Sequence, residues 1–445
     1  MEQTRKTAAL HNLGCKVNAY ETEAMRQMLA DAGYEIVPFP EPADVYVINT
    51  CTVTNIADKK SRQMLHRARK ANPDAIVAAV GCYAQVFPEK TAADPAVDII
   101  VGNNEKHRLV SLLEEYESAL AGGNTAQSRT SEPGESCRTC VTDINAPDQP
   151  YEELSVPRPA DHTRAFVKIQ DGCNRFCSYC VIPYARGRAR SRDPGQVLAE
   201  VRSLSENGYR EIVLTGIHVS SYGLDNGVPL TDLIRRIQEI NGIRRIRLGS
   251  LEPGIITEEF VRELAHADKV CPHFHLSLQS GSDTVLSRMN RDYTTAEYLE
   301  KCALLRGRYE HPAITTDIIV GFPGETEGEF DETLDFARRA AFAAIHVFPY
   351  SRREGTAAAG MDGQVEELVK QERSRALLAL AKEQKEAFEG WYEGRRVEVL
   401  FEEPVSRGGV SYYVGFTPEY VKTAYHTEKS LRNEIMTVEF SRFIV

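Results

Sequence analysis

Between residues 164 and 380 short apolar runs alternate with helical patterns, and that alternation confines the segment to a parallel sheet with helices packed against it. Candidate strands fall at 164–169, 210–215, 244–249, 273–278, 314–320 and 344–348, and candidate helices at 194–207, 231–240, 257–267, 295–308, 326–340 and 364–389. Six such units predict a partial (β/α)6 barrel, with its working end where the strands finish. Residues 7–115 run in the same style, with apolar runs at 34–39, 44–49, 75–80 and 97–101 and helical patterns at 20–32, 55–71 and 104–118. They predict a separate parallel α/β sandwich. Residues 119–160 are rich in Gly, Ser, Thr, Pro and Glu and carry too little apolar surface to offset chain entropy, which marks a linker. From about 390 the runs RRVEVLFEE, GVSYYVGFT, YVKTAY and IMTVEFSRFIV are short, β-branched and aromatic, the pattern of a small OB-like β-barrel. The expected organisation is thus α/β: an N-terminal domain over 1–118, a flexible linker over 119–160, a barrel over 161–389 and a β-domain over 390–445.

No run of about 18 apolar residues is present, so no membrane span is predicted. The N-terminus MEQTRKTAALHNLGC has no signal-peptide core, and a cytoplasmic location is expected. Ten cysteines, several at short spacing, then point to metal binding or catalysis rather than to a disulfide framework. The formal net charge of −11 argues mildly against a nucleic-acid partner, but binding depends on local patches, and two are present. Lys59, Lys60, Arg62, Arg67, Arg69 and Lys70 form one, and Arg186, Arg188, Arg190 and Arg192 the other. Each reads equally as a solvated helix face or loop.

The string DGCNRFCSYCVIPYARG holds Cys173, Cys177 and Cys180 at C-x3-C-x2-C spacing, just past a predicted strand. Three thiolates can hold three irons of a cubane and leave the fourth open to a small molecule. The competing reading is zinc, which normally closes with four ligands. The nearest candidates for a fourth, His162 and His218, are distant in sequence. With Tyr179 before the last cysteine, the motif C-x3-C-x-aromatic-C resembles the signature of the radical S-adenosylmethionine (SAM) superfamily. That resemblance implies a 4Fe–4S cluster whose open iron is chelated by SAM, and reductive cleavage of SAM to a 5′-deoxyadenosyl radical. The protein's part is then to position the reactants and exclude water. It also implies roles for residues at the ends of predicted strands. Thr215 and Gly216 match where the methionyl amino group is held. Ser250, Glu252, Gln279 and Ser280 fall where ribose and carboxylate are contacted, and Gly321 and Phe348 lie near the adenine.

Cys15, Cys51 and Cys82 are far apart, yet each sits just past a probable strand. In a parallel sheet such ends share one edge, so the three can converge on a second cluster. Three buried thiols are the equal alternative on geometry alone. The strings LGCKVNAYETEAM, INTCTVTNIADKKSRQM and VGCYAQ resemble the N-terminal domain of the methylthiotransferases, and the C-terminal β-segment resembles the RNA-binding TRAM domain. This likeness implies that Cys15, Cys51 and Cys82 ligate an auxiliary 4Fe–4S cluster. One SAM would methylate sulfur held there, and a second would supply the radical that opens the substrate carbon. Within the family GCKVNAYETEAM, with Lys16, looks like the branch acting on C2 of N6-threonylcarbamoyladenosine beside the tRNA anticodon. Other branches act on isopentenyl-adenosine in tRNA or on a ribosomal protein.

A carboxylate-bearing substrate asks for a cation, for which Lys16 is the candidate, and the adenosine would have to be unstacked into the site. Arg186 and Arg188, and the basic helix, are then candidate phosphate contacts. The implied partners are the tRNA anticodon loop and a reducing flavodoxin- or ferredoxin-like donor. One feature fits poorly: residues 391–445 hold eight acidic and seven basic residues, fewer cations than an RNA-binding barrel usually carries. Cys137 and Cys140 form an isolated C-x2-C in the linker, and Cys271 and Cys302 read as buried thiols. The rival from another class is a two-cluster electron-transfer or binding protein without radical chemistry.

Overall fold

The computed structural model describes residues 5–121, 137–156 and 163–442. The N-terminal sheet has strands β1 (Thr7–Asn12), β2 (Glu35–Val37), β3 (Val45–Thr50), β4 (Ile76–Gly81), β5 (Ile99–Val101) and β6 (Arg138–Cys140). All pair in parallel, in the order β2-β1-β3-β4-β5-β6. VYVINT and IVAAVG are buried along their whole length, as central strands covered on both faces must be. Because β1, β3 and β4 are neighbours, the loops that leave them lie side by side.

β6 was not expected. Residues 137–156 fall in the stretch whose composition marks a flexible linker, yet β6 extends the sheet, and Ile144, Leu154 and Val156 are buried. Leu154 and Val156 pack with Tyr20 and Ala24. A few apolar side chains suffice here because they join an existing core rather than build one. The helix expected from residue 20 begins at Lys16. Cys15 is its N-cap residue, so the loop that presents this thiol ends where the helix starts.

The second sheet begins with β7 (Arg164–Lys168), followed by the short antiparallel pair β8 (Gln170–Asp171) and β9 (Arg190–Ser191). β10 (Glu211–Thr215), β11 (Arg245–Leu248), β12 (His273–His275), β13 (Ala313–Val320) and β14 (Ala344–Pro349) complete it. Parallel bridges Ile246–Val270 and Leu251–Leu276 join β7-β10-β11 to β12-β13-β14 into one curved, six-stranded half-barrel. Ile212, Leu214, Ile246, Leu248 and Ile345 face the helices in one continuous core. With a period of two, the alternate residues face the hollow side. These include Arg164, Glu211, Arg247, His275, Asp317 and His346. Capping boxes at Thr294–Glu297 and Thr326–Glu329 fix the starts of the helices Thr295–Arg308 and Glu327–Ala340.

The C-terminal domain is an antiparallel sheet of β15 (Arg396–Arg407), β16 (Val410–Phe416), β17 (Lys422–His426) and β18 (Ile435–Glu439), ordered β17-β16-β15-β18. A bridge from Thr423 to Arg442 brings its two ends together, as in a small barrel. It closes the lower end of the half-barrel. Arg245 donates to the carbonyls of Glu398 and Phe416, Arg247 to that of Pro418, and Arg164 pairs with Glu402 at 2.7 Å. The Tyr420 ring lies 4.8 Å from both the Arg164 and Arg247 guanidiniums. The near-neutral charge of this domain has its explanation here, since Glu398 and Glu402 serve to dock it on barrel arginines. No helix among the described residues is long and apolar enough to cross a membrane.

Candidate metal centres

Cys15, Cys51 and Cys82 follow β1, β3 and β4 and converge at one sheet edge. The Cys15 and Cys82 sulfurs each lie 4.0 Å from the same atom, Oδ1 of Asn18. Gly14, at φ +101°, brings the Cys15 loop so close to Cys51 that a Cβ there would lie 2.7 Å from its Sγ. Cys51 and Cys82 are buried, whereas Cys15 keeps an accessible surface. Desolvation nonetheless pushes the Cys15 thiol pKa up. Burial also pushes Cys51 up to about 11. Two buried thiols with a third at an open side fit a cluster held by three protein ligands. Iron would have to displace protons that burial stabilises.

Cys173, Cys177 and Cys180 lie on the loop after β8. Cys180 N–H bonds to the Cys177 carbonyl at 2.9 Å, which folds the loop back on itself. Burial raises Cys173 to about 11 and Cys180 to about 12, with neighbouring Cys177 adding to both. The Arg291 guanidinium donates to Cys177 Sγ at 3.2 Å and pairs with Glu252 at 3.1 Å. Glu252 also holds Arg175 at 2.5 Å and His218 Nε2 at 2.9 Å. His218 is thus occupied by a carboxylate and is not free to close a zinc site, and His162 lies outside the described residues.

The residues expected to contact SAM divide. Thr215 and Gly216 end β10, Ser250 is exposed at the end of β11, and Tyr179 packs beside Val285 and Met289 with Cys177 and Cys180 nearby. Glu252 is bound into the arginine network beside Cys177. Gln279 holds φ +73° to pair with β13, and Phe348 exposes 46% of its surface on β14. Ser280 departs from expectation: it is fully buried, with its hydroxyl 3.4 Å from Thr333 in the outer helix layer. Gly321 also has a packing reason, because a Cβ would lie 2.4 Å from the Lys370 stem.

Arg186 requires a correction. It is wholly buried and cannot meet a phosphate. It bonds Glu21 at 2.8 and 2.9 Å, Asp171 at 3.1 Å and Asn18 Oδ1 at 2.6 Å. Lys168 and Lys106 reach the same Glu21 at 2.7 and 3.3 Å. Burial alone would raise Glu21, but Arg186, Lys106 and Lys168 overrule it and hold its carboxyl well below the usual range. Arg190 and Arg192 are buried as well, leaving only Arg188 of this patch exposed, over the Phe176 ring at 4.5 Å. The composition of the loop suggested a basic surface because arginine is seldom buried unless paired. Here its carboxylate partners come from the helix Lys16–Asp31, β8 and the helix Pro194–Glu206, which local sequence cannot reveal. Of the first basic patch, Lys59, Lys60, Arg62, Arg67 and Lys70 remain exposed, while Arg69 pairs with Asp98 at 2.5 Å.

Asn103 ties the two centres together: Nδ2 lies 3.6 Å from Cys82 Sγ and donates to the Ala185 carbonyl at 2.7 Å, five residues beyond Cys180. Lys16, next to Cys15 at the start of the first helix, is exposed. Burial and then Arg164 and Arg247 lower its pKa, and its charge in turn opposes protonation of His273 and His346. Cys137 precedes β6 and Cys140 ends it, and the two pack into different cores, on opposite faces of the sheet. They cannot share a metal. Cys271 and Cys302 are buried, as expected.

Two family models match the chain: the radical SAM superfamily over residues 167–337 and the uncharacterized protein family UPF0004 over residues 7–102. The threonylcarbamoyladenosine tRNA methylthiotransferase MtaB of Bacillus subtilis is 43% identical over 97% of this chain and 93% of its own length. The chain belongs to the radical SAM methylthiotransferase family. A tRNA-2-methylthio-N(6)-dimethylallyladenosine synthase from Moorella thermoacetica is 36% identical over 99% of this chain and 97% of that one. Among solved structures, the radical SAM methyltransferase TsrM of Kitasatospora setae, with cobalamin and a 4Fe–4S cluster bound, aligns with a TM-score of 0.56. It is 19% identical and covers 78% of this chain and 75% of that one, a likeness of fold. Family membership makes the chain an enzyme that uses SAM and 4Fe–4S chemistry.

Proposed function

We propose that this chain transfers a methylthio group to C2 of N6-threonylcarbamoyladenosine beside the anticodon of tRNA. The observation that carries the reading is the joining of two three-thiol centres, Cys15/Cys51/Cys82 and Cys173/Cys177/Cys180, through Asn103, Asn18 and Arg186. Bound there, the clusters and SAM supply the electron, the abstracting radical and the sulfur. The chain's own residues position them. Arg291 fixes Cys177 and is itself fixed by Glu252. Asn18 and Asn103 hold the auxiliary edge against the barrel loop. Tyr179, Thr215, Gly216, Ser250, Gln279 and Phe348 line the ends of the strands where SAM would lie, and Lys16 is exposed next to Cys15.

The threonylcarbamoyl substrate is supported by the named activity of the Bacillus subtilis relative and by Lys16, a cation suited to a carboxylate. The exposed cations on the helix Asn55–Ala71 offer phosphate contacts, with Arg188 on the barrel loop. A division at 1–118, 161–389 and 390–445, with the last as TRAM domain, belongs to this reading. So do a cytoplasmic site of action, where tRNA is found, and a flavodoxin- or ferredoxin-like electron donor. The test is nucleoside mass spectrometry of tRNA from a strain lacking the gene. Loss of 2-methylthio-N6-threonylcarbamoyladenosine, with its unthiolated precursor accumulating, is expected. If that nucleoside persists with no other gene supplying it, the assignment fails. Loss of the methylthio-isopentenyl nucleoside instead would move the enzyme to the other tRNA branch.

A further inference from the structure

Three side chains on the hollow face of the half-barrel form a group that the cluster chemistry does not use. His275 on β12, Asp317 on β13 and His346 on β14 come from adjacent parallel strands. Asp317 Oδ2 lies 3.2 Å from His275 Nε2, and its Oδ1 lies 3.1 Å from His346 Nδ1. One donor atom from each residue lies within 4.8 Å of those from the other two. The two rings stack with centroids 5.8 Å apart. Among the described residues, no hydrogen bond or ion pair joins these side chains to a cysteine of either centre. Phe348 lies two residues further along the same face of β14, so the group sits deeper in the half-barrel than that strand-end aromatic.

The spacing and the surroundings are those of metal ligands. Zinc bonds imidazole nitrogen and carboxylate oxygen at about 2.0–2.2 Å, which sets tetrahedral donors about 3.3 Å apart. The two nitrogen–oxygen separations, 3.2 and 3.1 Å, are already close to that value. Metal-bound histidines almost always bond a second group through the other ring nitrogen. His275 has such a group, since its Nδ1 lies 3.0 Å from Thr315 Oγ1. Burial alone would raise the Asp317 carboxyl, but the imidazoles of His275 and His346 hold it well below the usual range, so it is an ionised oxygen donor. The side chains of His275 and Asp317 are shielded, at 13% and 27% exposure, whereas that of His346 exposes 61%. A cation between them would be held by two inner donors and reached from the open side.

We propose that His275, Asp317 and His346 hold a single first-row divalent cation of the zinc or iron(II) class, additional to the iron–sulfur clusters, with its remaining coordination positions open to the hollow. The donor set decides the class. Two imidazoles with one carboxylate suit these metals, whereas magnesium and calcium take oxygen ligands. Structural zinc closes with four protein donors, so a set of three leaves a position for water or for an oxygen or nitrogen atom of a ligand. The inference goes beyond the threonylcarbamoyl reading and stands whichever nucleoside is modified.

The test is zinc uptake by the enzyme with both clusters loaded. The protein is stripped of loosely held metal on a chelating resin under anaerobic conditions, incubated with zinc chloride, desalted, and assayed for zinc and iron. Wild-type enzyme is expected to keep one zinc per chain more than His346→Ala or Asp317→Asn, with iron content equal in all three. Thr315→Val leaves the three donors in place and removes the partner of His275 Nδ1, so it should weaken zinc binding about 10- to 100-fold. Crystals of the zinc-treated wild type should show an anomalous peak at the zinc edge between His275, Asp317 and His346, a measurement that needs no variant to fold. Equal zinc in wild type and both variants would put the ion on cysteines left outside the clusters and overturn the proposal. Wild-type enzyme that retains no zinc, or crystals without a peak at these side chains, would leave the three as a hydrogen-bonded group and overturn it as well. Magnesium held in preference to zinc would overturn the assigned class of metal.

Discussion

Replacing Arg186 by methionine tests the reading that the two centres are held together by a buried charge cluster. The guanidinium makes bonds to Glu21, Asp171 and Asn18, all at 3.1 Å or less, inside a volume where these side chains are almost wholly inaccessible. Glu21 and Asn18 belong to the N-terminal helix, Asp171 and Arg186 to the barrel side. With Glu152 included, three carboxylates face Arg186, Lys106 and Lys168; the substitution leaves them facing two ammoniums. An uncompensated buried charge costs about 3–5 kcal/mol. The first transition in anaerobic urea unfolding, followed by cluster absorbance and circular dichroism, should shift by that amount. Removing both charges in Glu21→Gln with Arg186→Met restores the balance and should recover part of the loss. Arg186→Met costing less than about 1 kcal/mol, or the double variant being no better than the single, would refute the charge argument.

Other outcomes follow from the same geometry. Substituting Cys15, Cys51 and Cys82 together by alanine should halve the iron content of the purified protein and abolish methylthiolation, while reductive cleavage of SAM to 5′-deoxyadenosine persists; loss of that cleavage would show the centres are not separable. Arg291→Met removes the donor at 3.2 Å from Cys177 Sγ and leaves Glu252 Oε1 without its cation, so the barrel cluster should become harder to reduce, seen as a more negative midpoint in an electron paramagnetic resonance titration. Lys59→Glu with Lys60→Glu should weaken tRNA binding and flatten its dependence on salt, whereas an unchanged salt slope would remove the helix Asn55–Ala71 from the RNA path. Arg188→Ala should weaken binding in the same way, since its side chain alone among the four loop arginines is exposed.

The convergence of Cys15, Cys51 and Cys82 was legible because its signal is local: a strand, a turn, a thiol. β1, β3 and β4 each end at such a turn, and parallel neighbours bring their ends together without further instruction. The surroundings were not legible, because they are pairings across hundreds of residues. Arg291 reaches Cys177 from 114 positions away, and Glu21 meets Arg186 across 165. In the sequence Arg186 looked like one cation of a run; its role depends on a carboxylate that only folding supplies. Likewise Arg138, Thr139 and Cys140 look like linker until β5 offers an unpaired edge. The histidines of β12 and β14 carried no motif, and only the register of Asp317 against His346 makes a group of them.

Separate folding of the two centres would leave each open to solvent, so the contact between the domains must itself be part of the site. The ties between them fall within a few residues of the ligands. Asn18 follows Cys15 by three residues and accepts from Arg186; Asn103 touches Cys82 and bonds Ala185; Arg353 reaches Thr52, next to Cys51, together with Asn55 and Asp58. Each auxiliary thiol thus lies beside a polar bond that crosses to the barrel. A shift of the interface would move all three sulfurs relative to Cys173, Cys177 and Cys180 as a unit, and not one at a time. Radical chemistry requires the abstracted hydrogen and the incoming sulfur to meet one carbon, with reacting atoms about 3–3.5 Å apart. An interface cross-linked at every ligand is the arrangement that preserves such a distance. It also explains why so many buried charges are retained where apolar contacts would be the cheaper way to join two domains: hydrogen-bonded ion pairs fix register, which a greasy contact does not.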